Sequence, residues 1–267
     1  MKKFGFMIVP ILVIIFGGMM VPKLMASNVS APTLVLLSIG LVAILSLFRP
    51  KKGPSKSMQQ ILDEVFDDYC QDAFADHADL EKKFMSALKD ISQNLPKTAQ
   101  GKLQKLAPQC TSDQQKYAVA KAAALVCRMG QDWRNAIREY NKAIVLNPTD
   151  GLAYSIGECH QRIGNLDKAR DSYEFAMELN PQAARYPSSL ATAYVGDGDY
   201  DTAMDYARDA LAIDADYAQA LATMAICYGM KDDSVMYKHY TVKAAEAGYK
   251  QEKIETTVKE LKKRERQ

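Results

Sequence analysis

Acidic side chains are missing from the start of the chain, where no Asp or Glu precedes Asp63. The same stretch holds seven Lys and Arg residues and therefore carries a net charge of +7. The remainder has 27 basic and 32 acidic residues, a net charge of −5. A nucleic-acid-binding domain needs a basic surface on its folded part, so this mildly acidic remainder argues against a nucleic-acid partner.

Charge of either sign is absent from two apolar segments, residues 4–21 and 33–48. Each is close to the ~20 residues that cross a bilayer as a helix. We therefore predict an N-terminal transmembrane helical hairpin, a membrane anchor over residues 1–48. Basic residues flank the pair while the loop between them has only Lys23, so the positive-inside rule places both ends in the cytoplasm, with the cell membrane as the expected location.

A second interpretation of the same region is a cleaved signal peptide over residues 1–26, with a basic start, an apolar stretch and a cleavage site after Ala26. The segment 33–48 would then be a single membrane-spanning helix. The basic residues after it keep the rest of the chain on the cytoplasmic side in both interpretations.

Motifs for catalysis are also lacking: the chain has no phosphate loop, no GxSxG and no HExxH. The three histidines, His77, His160 and His239, lie far apart without a Cys or carboxylate at ligand spacing. The five cysteines show no CxxC spacing, which favours small buried side chains over disulfides or a metal site. We predict no enzymatic activity, no cofactor and no metal, and a packed, hydrogen-bonded role for His160.

The sequence contains instead a segment that recurs at spacings of 33 and 34 residues, in 130–148, 164–181 and 198–215. Each copy has apolar or small residues at i, i+4, i+7 and i+10, the pattern of an amphipathic helix. The aligned positions are Ala136/Ala169/Ala203, Tyr140/Tyr173/Ala207, Ala143/Ala176/Ala210 and Leu146/Leu179/Ile213.

Another helical stretch precedes each copy, and it also has a small residue in register: Ala124, Gly157, Ala191 and, once more, Ala225. Small residues there let two helix backbones approach closely, as a packed helical hairpin requires. The repeating unit is therefore predicted to be helix–turn–helix.

These features resemble the tetratricopeptide repeat (TPR) family. The matching residues are the series Ala169, Tyr173, Ala176 and Pro181, the pair Ile156-Gly157 and the turn 198–200. The resemblance implies an all-α fold, a TPR-type α-solenoid of helix–turn–helix repeats over residues 117–249. Its units would be 117–150, 151–183, 184–217 and 218–249, the last one degenerate because Tyr237 stands where the second helix normally has a small residue.

The flanking segments have different patterns. Residues 49–57 are predicted to be a basic linker, and residues 58–116 a helical hairpin that caps the array or a more diverged repeat. We expect one helix with apolar residues from Met58 to Phe74 and a second from Leu80 to Leu95, ended by Pro96. Ser57–Gln60 and Ser112–Gln115 match the S-x-x-Q capping box. Residues 250–267 are predicted to be a C-terminal capping helix.

A stack of helical hairpins leaves a concave groove lined by the first helices. The TPR resemblance places nine residues in it: Lys121, Leu125, Arg128, Tyr154, Glu158, Arg162, Arg185, Thr192 and Ile226. Four of the nine are basic, so we predict a protein or peptide partner with acidic residues or a free C-terminal carboxylate.

The carboxylate clamp of chaperone-binding TPR proteins is only half matched. Lys121 and Arg185 fit it, but Leu125 and Ser155 stand where the clamp uses Asn, and Ser189 replaces a cation. In addition, Pro187 predicts a late start of its helix, with Arg185 outside. We therefore do not predict that clamp.

The predicted function is a membrane-anchored cytoplasmic TPR scaffold or adaptor, which binds a partner protein in its concave groove. The alternative is a structural subunit that braces a membrane protein complex through permanent contacts of its apolar segments. Small or polar residues on one face of the second segment favour this alternative; they are Ser38, Gly40, Ala43 and Ser46.

Overall fold

The computed structural model of the chain describes residues 56–266, which belong to one compact unit, residues 54–267. The apolar segments 4–21 and 33–48 and most of the 49–57 linker lie outside the described residues. Residues 56–266 form α-helices and one 3₁₀ turn and contain no strand. No helix of this part is long and apolar enough to cross a membrane.

The helices are α1 (Met58–Val65), α2 (Ala78–Ser92), α3 (Pro96–Leu106), α4 (Asp113–Met129), α5 (Trp133–Leu146), α6 (Asp150–Arg162), α7 (Leu166–Leu179), α8 (Arg185–Asp197), α9 (Tyr200–Ile213), α10 (Ala218–Met230), α11 (Ser234–Glu246) and α12 (Gln251–Glu265). From α4 to α11 they pair as four hairpins, units 1 to 4, each with an A helix and then a B helix. Each B helix of units 1 to 3 also packs against the next A helix.

The A helices of units 3 and 4, α8 and α10, contact each other more extensively than any two B helices do in the described part, and α12 packs against α10 on the same side. A stack with this asymmetry curves toward its A helices. The A helices therefore line the inner surface of the array, and the B helices form its outer surface.

The turn between the A and B helices has the same construction in all four units. One residue adopts a left-handed backbone conformation, with φ between 58° and 82°: Gln131, Gly164, Gly198 and Asp232. The next residue accepts a backbone hydrogen bond and caps the B helix: Asp132, Asn165, Asp199 and Asp233. The backbone N–H of that residue also donates to a carbonyl five positions earlier, a Schellman closure. This turn sets the angle of each hairpin.

The small residues lie between the helices of each hairpin, as predicted. Ala136, Ala169 and Ala203 are fully buried, and so are their counterparts two helical turns further on, Ala143, Ala176 and Ala210. The last position of the pattern differs, since Leu179 is 41% exposed and Ile213 is 38% exposed. Each is the last residue of its B helix.

Two glycines receive large aromatic side chains from the facing helix. A Cβ atom at Gly157 would lie 2.5 Å from the Tyr173 ring, and one at Gly229 would lie 2.9 Å from the Tyr237 ring. Tyr237 is the residue that makes the fourth unit degenerate in sequence. Gly229 accommodates it, so unit 4 packs as a hairpin with the large and small residues exchanged between its helices.

The region before the array differs from the predicted hairpin. α1 ends at Val65, and residues 66–77 form turns rather than a helix that reaches Phe74. Pro96 does not end a helix that contains Leu95. It is the first residue of α3, a position where the missing N–H of proline has no helical partner to lose. The hairpin consists of α2 and α3, and α3 packs against α4.

Both predicted capping boxes are present, with Ser57 and Gln60 at the start of α1 and Ser112 and Gln115 at the start of α4. At the other end, α12 packs against α10 and α11. It buries Ile254 and Leu261, while the rest of the helix is mainly charged. α12 thereby covers the apolar side of unit 4.

Gly157→Ala provides a test of this packing. The new Cβ would meet the Tyr173 ring, so we expect the free energy of unfolding to fall by about 1–3 kcal/mol through overpacking. Gly151→Ala is the matched control, because a Cβ there has nothing within 4 Å. In this control the alanine should raise the free energy of unfolding by about 0.5–1 kcal/mol. Urea denaturation measures both, and equal stability of the two variants would contradict the packing.

Candidate partner-binding groove

The predicted groove residues belong to the A helices of units 1 to 4, but they are not equally accessible. Leu125 is 1% exposed and Ile226 is 7% exposed, so neither can contact a partner. Tyr154, Glu158 and Thr192 are half-buried, and Arg162 and Arg185 are exposed. The accessible part of the predicted groove therefore belongs to units 2 and 3.

The inner face of unit 1 is covered by α1 and the turns after it. Asp67 accepts hydrogen bonds from Tyr117 Oη at 2.6 Å and from Lys121 Nζ at 2.7 Å. Arg128 pairs with Glu64, and the Tyr69 ring meets the Tyr117 ring edge-on. Lys121 and Arg128 are thus occupied by carboxylates of the same chain. Leu125, between them on α4, belongs to the same apolar cluster as Ile61 and Val65 of α1.

Sequence reasoning missed this arrangement because Asp67 lies 50 residues before Tyr117. The apolar residues from Met58 to Phe74 predict one continuous amphipathic helix, and that pattern assigns no partner to the acidic residues between them. The available signal was the group Asp63, Glu64, Asp67 and Asp68, the first acidic residues of the chain. Glu64 and Asp67 contact α4, the A helix of unit 1, only in the folded chain, and no local sequence pattern encodes such a tertiary contact.

Arg185 is held by a cluster of aromatic and acidic side chains. Its guanidinium lies over the rings of Tyr154 and Tyr186, at 5.4 and 4.7 Å from the centroids, and 3.6 Å from Asp150. Tyr186 Oη donates to Asp150 at 2.5 Å, and Asn180 Nδ2 donates to it at 2.9 Å. Arg185 is the first residue of α8, which corrects the expectation that Pro187 leaves it outside.

The ionisation of this cluster follows from its contacts. Burial raises the pKa of Asp150, but hydrogen bonds from Tyr186 and Asn180 and the charge of Arg185 outweigh burial and leave the pKa below its ordinary value. Burial, together with the hydrogen bond to Asp150, raises the pKa of Tyr186 to about 12. At neutral pH the cluster therefore holds an anionic carboxylate, a neutral phenol and a guanidinium cation.

The remaining groove residues also have neighbours within the chain. Glu158 lies 4.0 Å from Arg128, and Arg162 lies over the Trp133 ring at 5.8 Å from its centroid. Thr192 accepts a hydrogen bond from Gln219 at 3.3 Å. Three of the four predicted cations have a carboxylate partner, so the positive charge expected in the groove is largely cancelled.

A cavity of about 300 Å³ opens between α1 and the A helices. Glu64 and Lys121 line one side, Arg185 lines another, and Thr149 and Ser155 contribute hydroxyl groups. Apart from Lys121 and Arg185, the lining residues were not among the predicted site residues. Charged groups of both signs and hydroxyls suit a polar side chain or a peptide backbone.

The described cysteines and histidines do not form a reactive centre. All five cysteines are buried and free, and burial raises the pKa of the Cys159 thiol to about 11. His160 is packed as predicted, but its buried Nδ1 has no hydrogen-bond partner, and burial lowers its pKa. Residues 56–266 contain no group of three His, Cys, Asp or Glu side chains that could hold a metal ion.

Comparison with known proteins identifies the repeats. A family model described as tetratricopeptide repeat matches residues 151–182 and 188–217, which correspond to units 2 and 3. The BBSome complex member BBS4 of Bos taurus is 27% identical over 124 residues, which are 46% of this chain and 22% of BBS4. The chain therefore spans less than a quarter of the length of that relative.

Solved structures of TPR proteins share the architecture. YrrB, described as a TPR protein with an unusual peptide-binding site, matches 74% of this chain and 98% of its own at 16% identity, with a TM-score of 0.54. MamA from Desulfovibrio magneticus matches 63% of this chain and 95% of its own at 19% identity, with a TM-score of 0.55. These likenesses confirm the predicted all-α, TPR-type solenoid.

The contact between α1 and unit 1 predicts the effect of Asp67→Asn. The variant keeps the shape of the side chain but removes the negative charge of the carboxylate that accepts hydrogen bonds from Lys121 and Tyr117. The free energy of unfolding should therefore fall by about 1.5–3 kcal/mol at neutral pH. Asp68→Asn is the matched control, since Asp68 is exposed, and we expect a change within about 0.5 kcal/mol. Chemical denaturation measures both variants.

The pH dependence of the same pair follows from the pKa of Asp67. Burial raises this pKa, but the hydrogen bonds from Lys121 and Tyr117 outweigh burial and bring it below its ordinary value. A depressed carboxyl pKa contributes stability that is present above the unfolded pKa and is lost as the pH falls through the folded pKa. The stability difference between the native chain and Asp67→Asn should therefore shrink below about pH 4. A difference that grows on acidification would contradict the contact.

Proposed function

We propose that this TPR repeat protein is a membrane-anchored scaffold or adaptor, which holds a partner protein or peptide on the inner surface of its array. The observation that carries the proposal is Arg185. Its guanidinium is fixed by Tyr154, Tyr186 and Asp150, yet its side chain is 46% exposed beside the 300 Å³ cavity. A side chain that is already ordered loses little conformational entropy when it binds a partner.

The proposed contact surface begins at unit 2, because α1 covers the inner face of unit 1. Tyr154, Glu158, Arg162, Arg185 and Thr192 are the predicted groove residues that stay accessible. The internal pairing of the other cations favours a peptide segment that brings a single carboxylate or carbonyl group to Arg185. A uniformly acidic segment would have to displace Asp67 and Glu64 from Lys121 and Arg128.

The similar proteins support this assignment at the level of the fold. The description of YrrB names a peptide-binding site, and that of BBS4 names membership in a protein complex. Both descriptions concern those proteins. They agree with protein interaction as the function of an array whose described residues contain no reactive cluster.

The proposed membrane anchor rests on the two apolar segments, 4–21 and 33–48, and on the distribution of basic residues around them. In this proposal the array faces the cytoplasm. The basic residues Arg49, Lys51, Lys52 and Lys56 would lie at the inner leaflet, where anionic headgroups attract them. Anchoring concentrates the groove near membrane-bound partners.

Site-specific crosslinking in cells tests the groove. A photoreactive amino acid at Glu158 or Thr192 should capture a partner protein, and the same amino acid at Lys259, exposed on α12, should not. Arg185→Glu should weaken the capture at Thr192 by roughly tenfold or more, as expected for the loss of one charge-assisted contact. Lys259→Glu is the matched charge reversal and should leave the capture unchanged. Equal capture at all three positions would disprove a binding site on the inner surface.

Protease protection tests the anchor and its topology. The full chain should remain with the membrane fraction after washing with alkaline carbonate. A tag placed after Gln267 should be digested only when the cytoplasmic side is opened. Extraction by carbonate would disprove the integral anchor, and digestion of the tag from outside intact cells would disprove the orientation. Neither result bears on the groove, which crosslinking tests separately.

A further inference from the structure

Four successive B-type helices of the outer surface form a basic half and an acidic half. The B-type helices α3 and α5 carry six Lys and Arg residues and a single acidic residue, Glu139. The next two B helices, α7 and α9, carry seven Asp and Glu residues and three Lys and Arg residues. Along these four helices the net charge thus changes sign between units 1 and 2, while α11, the B helix of unit 4, carries two Lys and one Glu.

Most of these charges are exposed and available for contact. In the basic half the exposed cations are Lys97, Lys105, Arg134, Arg138 and Lys142. In the acidic half, the side chains of Asp167, Asp201 and Asp205 are 87%, 83% and 71% exposed. Pairs such as Lys142–Glu139 and Arg208–Asp205 connect neighbours on one helix. They do not change the sign of either half, and exposed pairs of this kind contribute little energy.

Each half also exposes large apolar side chains. Val145 is 81% exposed at the edge of a cavity of about 550 Å³, which Val119, Ala120 and Leu146 also line. In the acidic half Phe175, Leu179 and Ile213 are 39%, 41% and 38% exposed. Apolar side chains clustered within a charged rim are typical of protein interaction surfaces.

We propose that two copies of this chain associate through their outer surfaces in antiparallel orientation, with α3 and α5 of each copy against α7 and α9 of the other. The order basic, basic, acidic, acidic along α3, α5, α7 and α9 of one copy meets the order acidic, acidic, basic, basic of the reversed copy. A parallel alignment would place like charges together. The antiparallel contact uses the same surface on both copies and closes as a two-fold dimer.

A second copy fits these observations better than other occupants. An acidic protein or an anionic bilayer would match only the basic half and would leave Phe175, Leu179 and Ile213 uncovered. A second copy supplies complementary charge and apolar side chains to both halves at once. The contact uses the outer surface, so the inner surface and Arg185 stay accessible, and the proposal is independent of partner binding in the groove.

Charge-reversed variants of the full chain in detergent test the dimer. One variant, the basic-reversed chain, carries Lys97→Glu, Lys105→Glu and Arg134→Glu. The other, the acidic-reversed chain, carries Asp171→Lys, Glu178→Lys and Asp209→Lys. All six residues are exposed, and none forms an ion pair among the described residues, so both variants should fold. The matched control reverses three exposed lysines, one immediately before α12 and two within it: Lys250→Glu, Lys259→Glu and Lys263→Glu.

Light scattering coupled to size exclusion gives the protein mass of each species. The native chain and the α12 control should have the mass of two chains at low salt and a lower mass at high salt, where exposed charges are screened. Each reversed variant alone should have the mass of one chain. An equal mixture of the two reversed variants should recover the mass of two chains, because one variant then has a net acidic outer surface and the other a net basic one.

Two outcomes would overturn the proposal. If the native protein has the mass of one chain at every salt concentration, it does not form the dimer. The basic half would then be a contact surface for an acidic protein or an anionic bilayer. A native mass of two chains that neither reversed variant changes would place the association elsewhere, for example in the N-terminal apolar segments, which all variants share.

Discussion

The close approach of two helices within each hairpin is the constraint on which the rest of the array depends. Ala136, Ala169 and Ala203 are fully buried between the A and B helices, and Gly157 leaves room for the Tyr173 ring. The left-handed residue and the capping residue in each turn hold the two helices at a constant angle. Because every unit repeats this geometry, the A helices align along one surface and the B helices along the other. Both proposed interaction surfaces are products of this alignment.

The sequence predicted this architecture well because its determinants are local. Periodic small residues, capping boxes and the 198–200 turn all act within one unit, so their spacing indicates the hairpin directly. The packing of unit 4 was also implicit in its residues, since Gly229 compensates for Tyr237. Leu95 and Pro96 misled the prediction, because a proline that ends one helix and a proline that begins another give the same local pattern.

The candidate site was predicted less well, because its properties depend on contacts between distant residues. The nine groove residues were assigned to helix faces, and each lies on an A helix, including Arg185, which was expected to precede its helix. Their charge state as a group was not predictable, since Asp67 and Glu64 reach Lys121 and Arg128 from a different part of the chain. The pairing of Arg185 with Asp150 through Tyr186 likewise connects two units. A list of cations on a helix face therefore overestimates the positive potential of the surface.

Because the cysteines are buried, the reaction of each thiol with a reagent reports local unfolding of the region that contains it. A thiol reacts with alkylating or oxidising reagents as the thiolate, and the burial that raises the pKa of these thiols also blocks access. Cys70 lies after α1, Cys127 in unit 1, Cys159 in unit 2 and Cys227 in unit 4. Units of a linear array open separately, in part from the ends. The order in which the thiols are modified over time therefore reports the local stability of the array from one end to the other, without any introduced label.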